Sequence, residues 1–310
     1  MTRIRESVFG KIMLFGEYGI LCQGRALTIP LKNYYGTLRF PDAAPNTYQA
    51  TLHRLLLAYH DYLATRATAS NSCGIDLGAF AKELESGLYF DSNIPHGYGA
   101  GSSGALVAAI FRRFSLENAE WGEGGKLQEL KEKLAKLESY FHGTSSGIDP
   151  LSCFLGKPLD FLPGNGIVAT QLPNSISTRE GGFFLLDTGV PRKTGELVKL
   201  FQKNYQDSAF RTMMHTAYNG CVSECIQNLL MGDFDGLANY MQNLSELQYR
   251  YFNEMIPADF KEIWMQGLEN RIFTLKLCGA GGGGFLLGYT NNFDHVKKTF
   301  HSYKPLKIVL

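Results

Sequence analysis

Residues 94–104 of the 310-residue chain read Ile-Pro-His-Gly-Tyr-Gly-Ala-Gly-Ser-Ser-Gly, a glycine-rich stretch on which the assignment of the fold depends. The run that follows, residues 104–114, is apolar and ends with two arginines and a phenylalanine, as expected of a half-buried helix. Small residues let backbone N–H groups converge, and the start of a helix adds a positive end, so the stretch suits a phosphate group. A simple tight turn explains the glycines equally well.

This stretch matches other known glycine motifs poorly or not at all. Gly99, Gly101 and Gly104 satisfy the spacing of the dinucleotide-binding fingerprint, but no acidic residue ending a second strand follows about 20 residues later, so the match is weak. The P-loop pattern and the signature motifs of the protein kinases are absent from the sequence. These absences disfavour a dinucleotide oxidoreductase and exclude a P-loop enzyme.

A second glycine cluster, Cys278-Gly-Ala-Gly-Gly-Gly-Gly284, lies between the apolar segments 272–277 and 285–289, which are predicted to be strands. Consecutive glycines weaken a sheet, so we expect something large to approach this backbone closely. The alternative is a hairpin turn, although two residues suffice for one.

Two charged residues lie in otherwise uncharged surroundings. Asp149 ends the loop His142-Gly-Thr-Ser-Ser-Gly-Ile-Asp149, and Lys11 lies in the predicted first strand, Gly10-Lys-Ile-Met-Leu-Phe-Gly16. Considered alone, Asp149 is explained as a cap or turn residue and Lys11 as a lysine at a strand edge whose charged end reaches solvent.

Strands and helices alternate without a strict βαβ order, which predicts an α+β protein with two lobes. Strands are expected at 10–16, 27–31, 34–40, 182–187, 272–277, 285–289 and 306–310. Helices are expected at 49–66, 78–87, 104–114 and 126–141, and again between about 195 and 270. Pro, Gly, Asn and Ser between 163 and 179 suggest a domain boundary, placed at 172/173, so that the domains are residues 1–172 and 173–310.

The composition narrows the function classes. Hydrophobic residues make up 45% of the chain, charged residues 19%, and the net charge is +1, which disfavours nucleic acid as a partner. No apolar run reaches membrane-spanning length, the first residues lack an apolar signal core, and six scattered cysteines indicate reduced thiols. We therefore expect a cytoplasmic protein. Cys221 and Cys225 lack further metal ligands nearby and are expected to be buried thiols.

Three segments, taken in order, resemble the signature motifs of the GHMP kinases. They are Gly10-Lys-Ile-Met-Leu-Phe-Gly-Glu-Tyr18 (motif one), Pro95 to Ala105 (motif two) and Lys276-Leu-Cys-Gly-Ala-Gly-Gly-Gly-Gly284 (motif three). They span nearly the whole chain, so the resemblance is specific. It implies the GHMP kinase fold, with an N-terminal nucleotide-binding α+β domain and a C-terminal ferredoxin-like α+β domain. The implied activity is transfer of the γ-phosphate of ATP to an alcohol.

Two further segments resemble the mevalonate kinases of that family: Leu137 to Asp149, and Asp187-Thr-Gly-Val-Pro-Arg-Lys-Thr194. Tyr18 departs from them, because they carry His after the motif-one Glu. Gly104-Ala105 is also nearer to the phosphomevalonate kinases. The resemblance therefore favours mevalonate as acceptor, as in isoprenoid precursor synthesis, with phosphomevalonate, a sugar or another hydroxy acid as alternatives. A non-catalytic ATP-binding regulatory member is the second alternative.

The resemblance also implies roles for individual residues. The ATP phosphates would be bound by motif two: Pro95, Gly97, Gly99, Ala100, Gly101, Ser102, Ser103 and Gly104. Mg²⁺ would be held by Ser103, in preference to Ser102, and by Glu138, a hydroxyl and a carboxylate that suit this ion. Asp149 would act as general base, and Lys11 would stabilise the alkoxide and keep Asp149 ionised.

The acceptor would be bound by Glu17, Tyr18, Arg192, Thr194, Gly279, Ala280, Gly281 and Gly282. Glu17 has an alternative as an ion-pair partner of Lys11, and Arg192 as a partner in a surface salt bridge. The expected ligands are ATP and a small-molecule alcohol, with no nucleic acid or membrane partner, and the chain is expected to be a monomer or a homodimer.

Overall fold

The computed structural model describes residues 7–66, 74–117, 126–176, 179–191 and 194–308. These residues form two compact units. The first contains residues 1–11, 30–95 and 100–157, and the second contains residues 12–29, 96–99 and 158–310, each within the described ranges. The mixture of antiparallel strands and helices in the two units confirms the predicted α+β class.

The strands are β1 (Val8–Phe15), β2 (Ala26–Arg39), β3 (Tyr89–Ser92), β4 (Leu159–Leu162), β5 (Gly166–Ala169), β6 (Gly182–Asp187), β7 (Phe273–Leu277), β8 (Phe285–Thr290) and β9 (Leu306–Lys307). The helices are α1 (Thr47–Arg66), α2 (Leu77–Glu85), α3 (Ser102–Phe114), α4 (Lys126–His142), α5 (Ile148–Leu155), α6 (Thr194–Asn204), α7 (Ser208–Met213), α8 (Asn219–Met231), α9 (Phe234–Tyr251), α10 (Lys261–Asn270) and α11 (Phe293–Thr299). Among the described residues, no helix combines the length and the apolar character needed to cross a membrane.

In the first unit, α3 is the central helix. Its residues 104–111 are all buried, and it packs against α4 and α5. Residues 36–39 of β2 pair antiparallel with β3, and α1 lies against that strand. Because α3 is apolar on nearly every side, it needs neighbours all around, and α4 and α5 supply part of this cover.

The second unit contains a four-stranded antiparallel sheet with the order β7-β8-β6-β9. Its central strands pair in register, with Leu185 opposite Leu287 and Leu275 opposite Gly288. All six residues of β8 are buried, as are most of those in β6, so these strands consist of continuous apolar runs without alternation. Helices α8, α9 and α10 provide further core, including the buried Trp264.

The sequence divided β2 incorrectly. Segments 27–31 and 34–40 were expected to be separate strands, but they form one strand, Ala26–Arg39, which contains Pro30. Residues 26–28 pair with β4 and residues 36–39 with β3, so Pro30 lies between the two pairings. Neither of these two pairings uses the amide hydrogen that proline lacks. The strand, which also neighbours β1 in the sheet, continues through Pro30.

The loop 142–150 is also shorter than expected, because helix α5 begins at Ile148. Asp149 therefore lies in the first turn of a helix. The proposed domain boundary at 172/173 stays a prediction. The compact units pass into one another at Lys157/Pro158 and at earlier points in the chain, because β1, β2 and the motif-two stretch each supply residues to both.

Candidate active site

Lys11 and Asp149 form an ion pair in the first unit. Lys11 Nζ lies 2.7 Å from Asp149 Oδ1, with the lysine side chain 5% exposed and the aspartate side chain 33% exposed. The Lys11 backbone N–H donates to the Ala100 carbonyl at 2.9 Å, which fixes β1 against the glycine-rich stretch. The lysine is therefore not at a solvated strand edge, and its charge is directed at Asp149, the carboxylate that the sequence predicts as general base.

Gly104 brings the beginnings of α3 and α5 together. A Cβ atom at this position would lie 2.8 Å from the Asp149 carbonyl carbon and from the Pro150 nitrogen, both backbone atoms. Real Cβ atoms do not approach other atoms this closely, so only glycine allows the two helices to pack at this distance. The contact places Asp149 beside the start of α3, where the sequence predicts phosphate binding.

Ser103 and Glu138, the two predicted metal ligands, are in direct contact. Ser103 Oγ donates to Glu138 Oε1 at 2.9 Å, and Ser145 Oγ donates to Glu138 Oε2. His142 Nε2 lies 2.9 Å from Ser103 Oγ. Because a hydroxyl has one hydrogen, Ser103 accepts from His142 when it donates to Glu138.

The carboxyl of Glu138 is only 3% exposed, and burial is the main cause that raises its pKa, to about 7. The negative charge of Asp149 raises the pKa further, whereas the hydrogen bonds from Ser145 and Ser103 and the charge of Lys11 lower it. A cation bound beside Glu138 would favour the ionised carboxylate, because its positive charge would offset the free-energy cost of ionising a buried acid.

The donor set fits Mg²⁺. A hydroxyl and a carboxylate are hard oxygen ligands, and the ion usually keeps several waters and phosphate oxygens besides one or two carboxylates. No group of three or more His, Cys, Asp or Glu side chains suited to a metal occurs in the ranges that the structure describes. Metal binding by Ser103 and Glu138, with phosphate oxygens and water as the further ligands, stays a prediction.

The remaining motif-two residues are divided between the units. Pro95, Ala100 and the start of α3 at Ser102 belong to the first unit, and Gly97 and Gly99 belong to the second. Gly101 is the N-cap of α3 and adopts the left-handed conformation, with φ of 77°. Its carbonyl oxygen accepts a hydrogen bond from Cys153 Sγ, which is buried beneath it. Phosphate binding by these residues stays a prediction.

Glu17 belongs to the second unit and forms a buried ion pair with Lys276 of β7, so the suggested pairing with Lys11 is wrong. Both side chains are almost fully buried, and Lys276 Nζ also donates to the Leu277 carbonyl at 2.7 Å. Burial is the main cause that raises the pKa of Glu17, and the charge of Lys276 opposes it. The Glu17 carboxylate is thus engaged by the protein itself.

Tyr18 is likewise engaged within the second unit. Its hydroxyl donates to the Ala280 carbonyl at 2.7 Å, and its ring stacks on Phe201 and Phe252 with centroids 4.7 and 5.4 Å away. The side chain is only 5% exposed. Motif one is therefore connected to motif three by a hydrogen bond from Tyr18 as well as by the ion pair of Glu17.

The glycines of motif three are needed for close approach by the chain itself. At Gly284, φ is +68° and a Cβ would lie 2.7 Å from the Cα of Tyr98. At Gly281 a Cβ would lie 2.6 Å from the Met255 carbonyl oxygen, and the neighbouring Gly282 N–H donates to that oxygen at 2.7 Å. The close approach that these glycines allow is to backbone atoms of the same unit, and approach by a large ligand stays a prediction. Acceptor binding by Gly279, Ala280, Gly281 and Gly282 stays a prediction.

Arg192 lies outside the described residues. Thr194 is the first residue of α6, and its side chain is also outside the description. Ser145 and Lys276 also lie in these networks, and neither received a role from the sequence. A lysine within the apolar strand Phe273-Thr-Leu-Lys-Leu277 was the available signal for a buried ion pair. Nothing in the sequence indicated that Ser145 would hydrogen-bond to Glu138, because serine is common in loops.

A scan against family models matches residues 60–157 to the GHMP kinases N terminal domain. A curated relative, the mevalonate kinase of Thermococcus onnurineus (strain NA1), is 26% identical over 203 residues, which cover 62% of this chain and 56% of the relative. This match spans little more than half the length of that relative.

Two solved structures show the same fold. The first, L. major mevalonate kinase in complex with R-mevalonate, has a TM-score of 0.65 at 18% identity, and the alignment covers 98% of this chain and 95% of that one. The second, Streptococcus pneumoniae phosphomevalonate kinase in complex with phosphomevalonate and AMPPNP, has a TM-score of 0.65 at 15% identity and covers 97% of each chain. The family match over residues 60–157 and the curated kinase relatives confirm the resemblance to the GHMP kinases, and the two solved structures show that the chain has the fold of these kinases.

Proposed function

We propose that the chain transfers the γ-phosphate of ATP to the hydroxyl of a small-molecule alcohol, with mevalonate as the favoured acceptor and 5-phosphomevalonate as the product. The observation that carries the proposal is the Lys11–Asp149 ion pair, 2.7 Å long, beside the start of α3. A carboxylate that is one-third exposed can reach a substrate hydroxyl, and a buried lysine beside it can stabilise the oxygen once its proton has left.

In the proposed mechanism, Asp149 accepts the proton of the acceptor hydroxyl as that oxygen attacks the γ-phosphorus. The bond between the γ-phosphorus and the bridging oxygen of the β-phosphate breaks, and ADP leaves with that oxygen. Lys11 stabilises the developing alkoxide and holds Asp149 in place. The backbone of residues 101–104 and the positive end of α3 bind the phosphates. Ser103 and Glu138 would hold Mg²⁺, and the bound ion would supply neutralisation of the phosphate charge. These roles require positioning and charge neutralisation, which dominate catalysis of phosphoryl transfer.

Two observations keep phosphomevalonate as the alternative acceptor. The fold resembles a mevalonate kinase and a phosphomevalonate kinase equally well, with a TM-score of 0.65 to each structure. Tyr18 occupies the position where mevalonate kinases carry His, and its hydroxyl is engaged by Ala280. Curated relatives named mevalonate kinase favour the unphosphorylated acceptor. A cytoplasmic location and a monomeric or homodimeric state stay predictions.

The test is an ADP-release assay with Mg²⁺-ATP and a panel of acceptors: mevalonate, phosphomevalonate, galactose and homoserine. We expect the largest kcat/KM with mevalonate, and the product identified by mass spectrometry as the phosphate ester. A preference for phosphomevalonate would change the assigned acceptor but would leave the assigned reaction type unchanged. Tight ATP binding without phosphorylation of any acceptor would instead indicate a non-catalytic member of the family.

A further inference from the structure

The carboxylate of Glu138 is hydrogen-bonded at both oxygens. Ser103 donates to Oε1 and Ser145 donates to Oε2, and the glutamate is almost entirely buried. Ser103 belongs to motif two and has a proposed role at the metal, whereas Ser145 has none. The two serines come from different parts of the first unit, one at the start of α3 and the other in the turn between α4 and α5.

Ser145 is itself held in place. Its Oγ accepts a hydrogen bond at 3.0 Å from the backbone N–H of Gly147, the N-cap of α5. One hydroxyl group therefore connects the Glu138 carboxylate to the start of the helix that carries Asp149. Because the donor is fixed by the backbone, it fixes the orientation of the carboxylate plane as well.

This orientation decides which oxygen faces the proposed metal. With Oε2 engaged by Ser145, Oε1 is directed toward Ser103 Oγ, 2.9 Å away, and these are the two atoms that a cation would share. Without the Ser145 hydroxyl, the carboxylate could rotate about its terminal bond, since such torsions have broad minima. The metal would then bind to a carboxylate without a fixed orientation, and fixing that orientation would weaken the binding of the metal.

We propose that Ser145 is a positioning residue that orients the Glu138 carboxylate for the divalent cation that accompanies the nucleotide. The inference rests on the proposed function, because it takes Ser103 and Glu138 as the metal ligands. Residues that hold a metal ligand through hydrogen bonds typically contribute 10-fold to 100-fold in metal affinity. We therefore expect a loss of about tenfold when the hydroxyl is removed.

The experiment measures the dissociation constant of AMPPNP by isothermal titration calorimetry, once with Mg²⁺ and once with EDTA. The variants are Ser145→Ala, Ser145→Thr, which keeps the hydroxyl, and Glu138→Gln as reference. Ser139→Ala is the matched control, because Ser139 is adjacent to Glu138 but donates only to the Ala135 carbonyl. Circular dichroism confirms that each variant is folded, and the EDTA titration reports nucleotide binding that does not depend on the metal.

We expect Ser145→Ala to weaken binding about tenfold with Mg²⁺ and to leave binding in EDTA unchanged, with Ser145→Thr and Ser139→Ala close to the unsubstituted protein. An equal loss with Mg²⁺ and with EDTA would overturn the inference, because Ser145 would then act on the turn in general. An unchanged Mg²⁺ affinity in Ser145→Ala would also overturn it. The measurement needs no turnover, so a selective loss would support the inference even if no acceptor were phosphorylated.

Discussion

Lys11 and Asp149 form the residue pair on which the proposed chemistry depends. We expect Asp149→Asn and Lys11→Ala each to lower kcat by at least about 10², because each removes a charge used in the transition state. Asparagine keeps an oxygen that can accept from Lys11, so Asp149→Asn should remain folded. Steady-state kinetics measures the loss, with the circular dichroism spectrum as the check on folding.

A matched control for this prediction is Asp91→Asn, which removes the carboxylate of the exposed Arg39–Asp91 ion pair in the same unit. Exposed pairs contribute little to stability, and this one has no proposed role in the reaction, so kcat should not change. Near-normal turnover in both Asp149→Asn and Lys11→Ala would remove the assigned roles.

The raised pKa of Glu138 predicts that the stability of the metal-free protein depends on pH. Its pKa is raised from 4.5 to about 7 in the folded state, so the folded state binds the proton more tightly than the unfolded state. The free energy of unfolding should therefore fall as pH rises from about 4.5 to 7, by on the order of 3 kcal/mol if this group acted alone. Thermal unfolding in EDTA between pH 5 and pH 8 measures this change.

Two substitutions isolate the contribution of Glu138. Glu138→Gln should be more stable than the unsubstituted protein above pH 7, and the advantage should vanish near pH 5. Glu132→Gln is the control on the same helix, because Glu132 is exposed, and its stability profile should follow that of the unsubstituted protein. A difference between Glu138→Gln and the unsubstituted protein that does not vary with pH would contradict the prediction.

At this scale the sequence predicted part of the site. The resemblance to GHMP kinases placed Lys11 near Asp149, and Ser103 with Glu138, and the structure brings both pairs together. The partner of Glu17 was not predictable from a motif, because it lies 259 residues away and carries no pattern of its own. Hydrogen bonds such as that from Ser145 depend on how a loop turns, which residue types alone do not determine.

At the scale of secondary-structure elements, β7 and the turn after β1 are connected by the buried ion pair of Glu17 and Lys276. We expect Lys276→Met to lower the free energy of unfolding by about 3 to 5 kcal/mol, because it leaves a buried carboxylate without its cation. The double variant Lys276→Met, Glu17→Gln should recover a large part of this loss, since no charge remains buried. Urea unfolding of the single and double variants measures the coupling.

The exposed pair Lys297–Asp294 of α11 is the control for this cycle. Replacing Lys297 by Met, alone or together with replacement of Asp294 by Gln, should change the free energy of unfolding by less than about 1 kcal/mol. If the double variant at positions 17 and 276 were no more stable than Lys276→Met alone, the burial of charge would not be the reason for the loss.

Most elements were predictable, because apolar runs bounded by glycine, proline or charged residues mark them in the sequence. The apolar helix α3 and the strands β6, β7 and β8 lie within a residue or two of the predicted bounds. The failure at β2 has a clear cause, since Pro30 normally ends a strand, and its tolerance depends on which neighbours pair with it. The sequence of a single strand does not contain that information.

At the scale of the whole molecule, ligand binding should stabilise the folded chain. We expect Mg²⁺-AMPPNP at 100 times its dissociation constant to add about 2.7 kcal/mol and to raise the Tm, because it binds the folded state only. NAD⁺ at the same concentration should leave the Tm unchanged. Differential scanning fluorimetry measures both shifts, and stabilisation by NAD⁺ alone would favour the dinucleotide interpretation of the glycine stretch.

The two-lobed organisation was predicted at the level of fold class, whereas the division of the chain between compact units was not. A linker-like composition between 163 and 179 suggested one boundary, but the units exchange segments at β1, β2 and the motif-two stretch. Such exchanges leave no trace in composition, because the exchanged segments are strands and turns with the ordinary composition of buried chain. The exchanges become visible only in the three-dimensional structure, where the contacts between segments are known.

The contact at Gly104 has a consequence for how the protein tolerates change during evolution. The spacing between Asp149 and the start of α3 is determined by the contact of two backbone segments. It therefore does not depend on which side chains cover the two helices. Those side chains can drift freely without moving the carboxylate at position 149. A single added methyl at position 104, in contrast, would push the helices apart, so this site should resist substitution long after its surroundings have diverged.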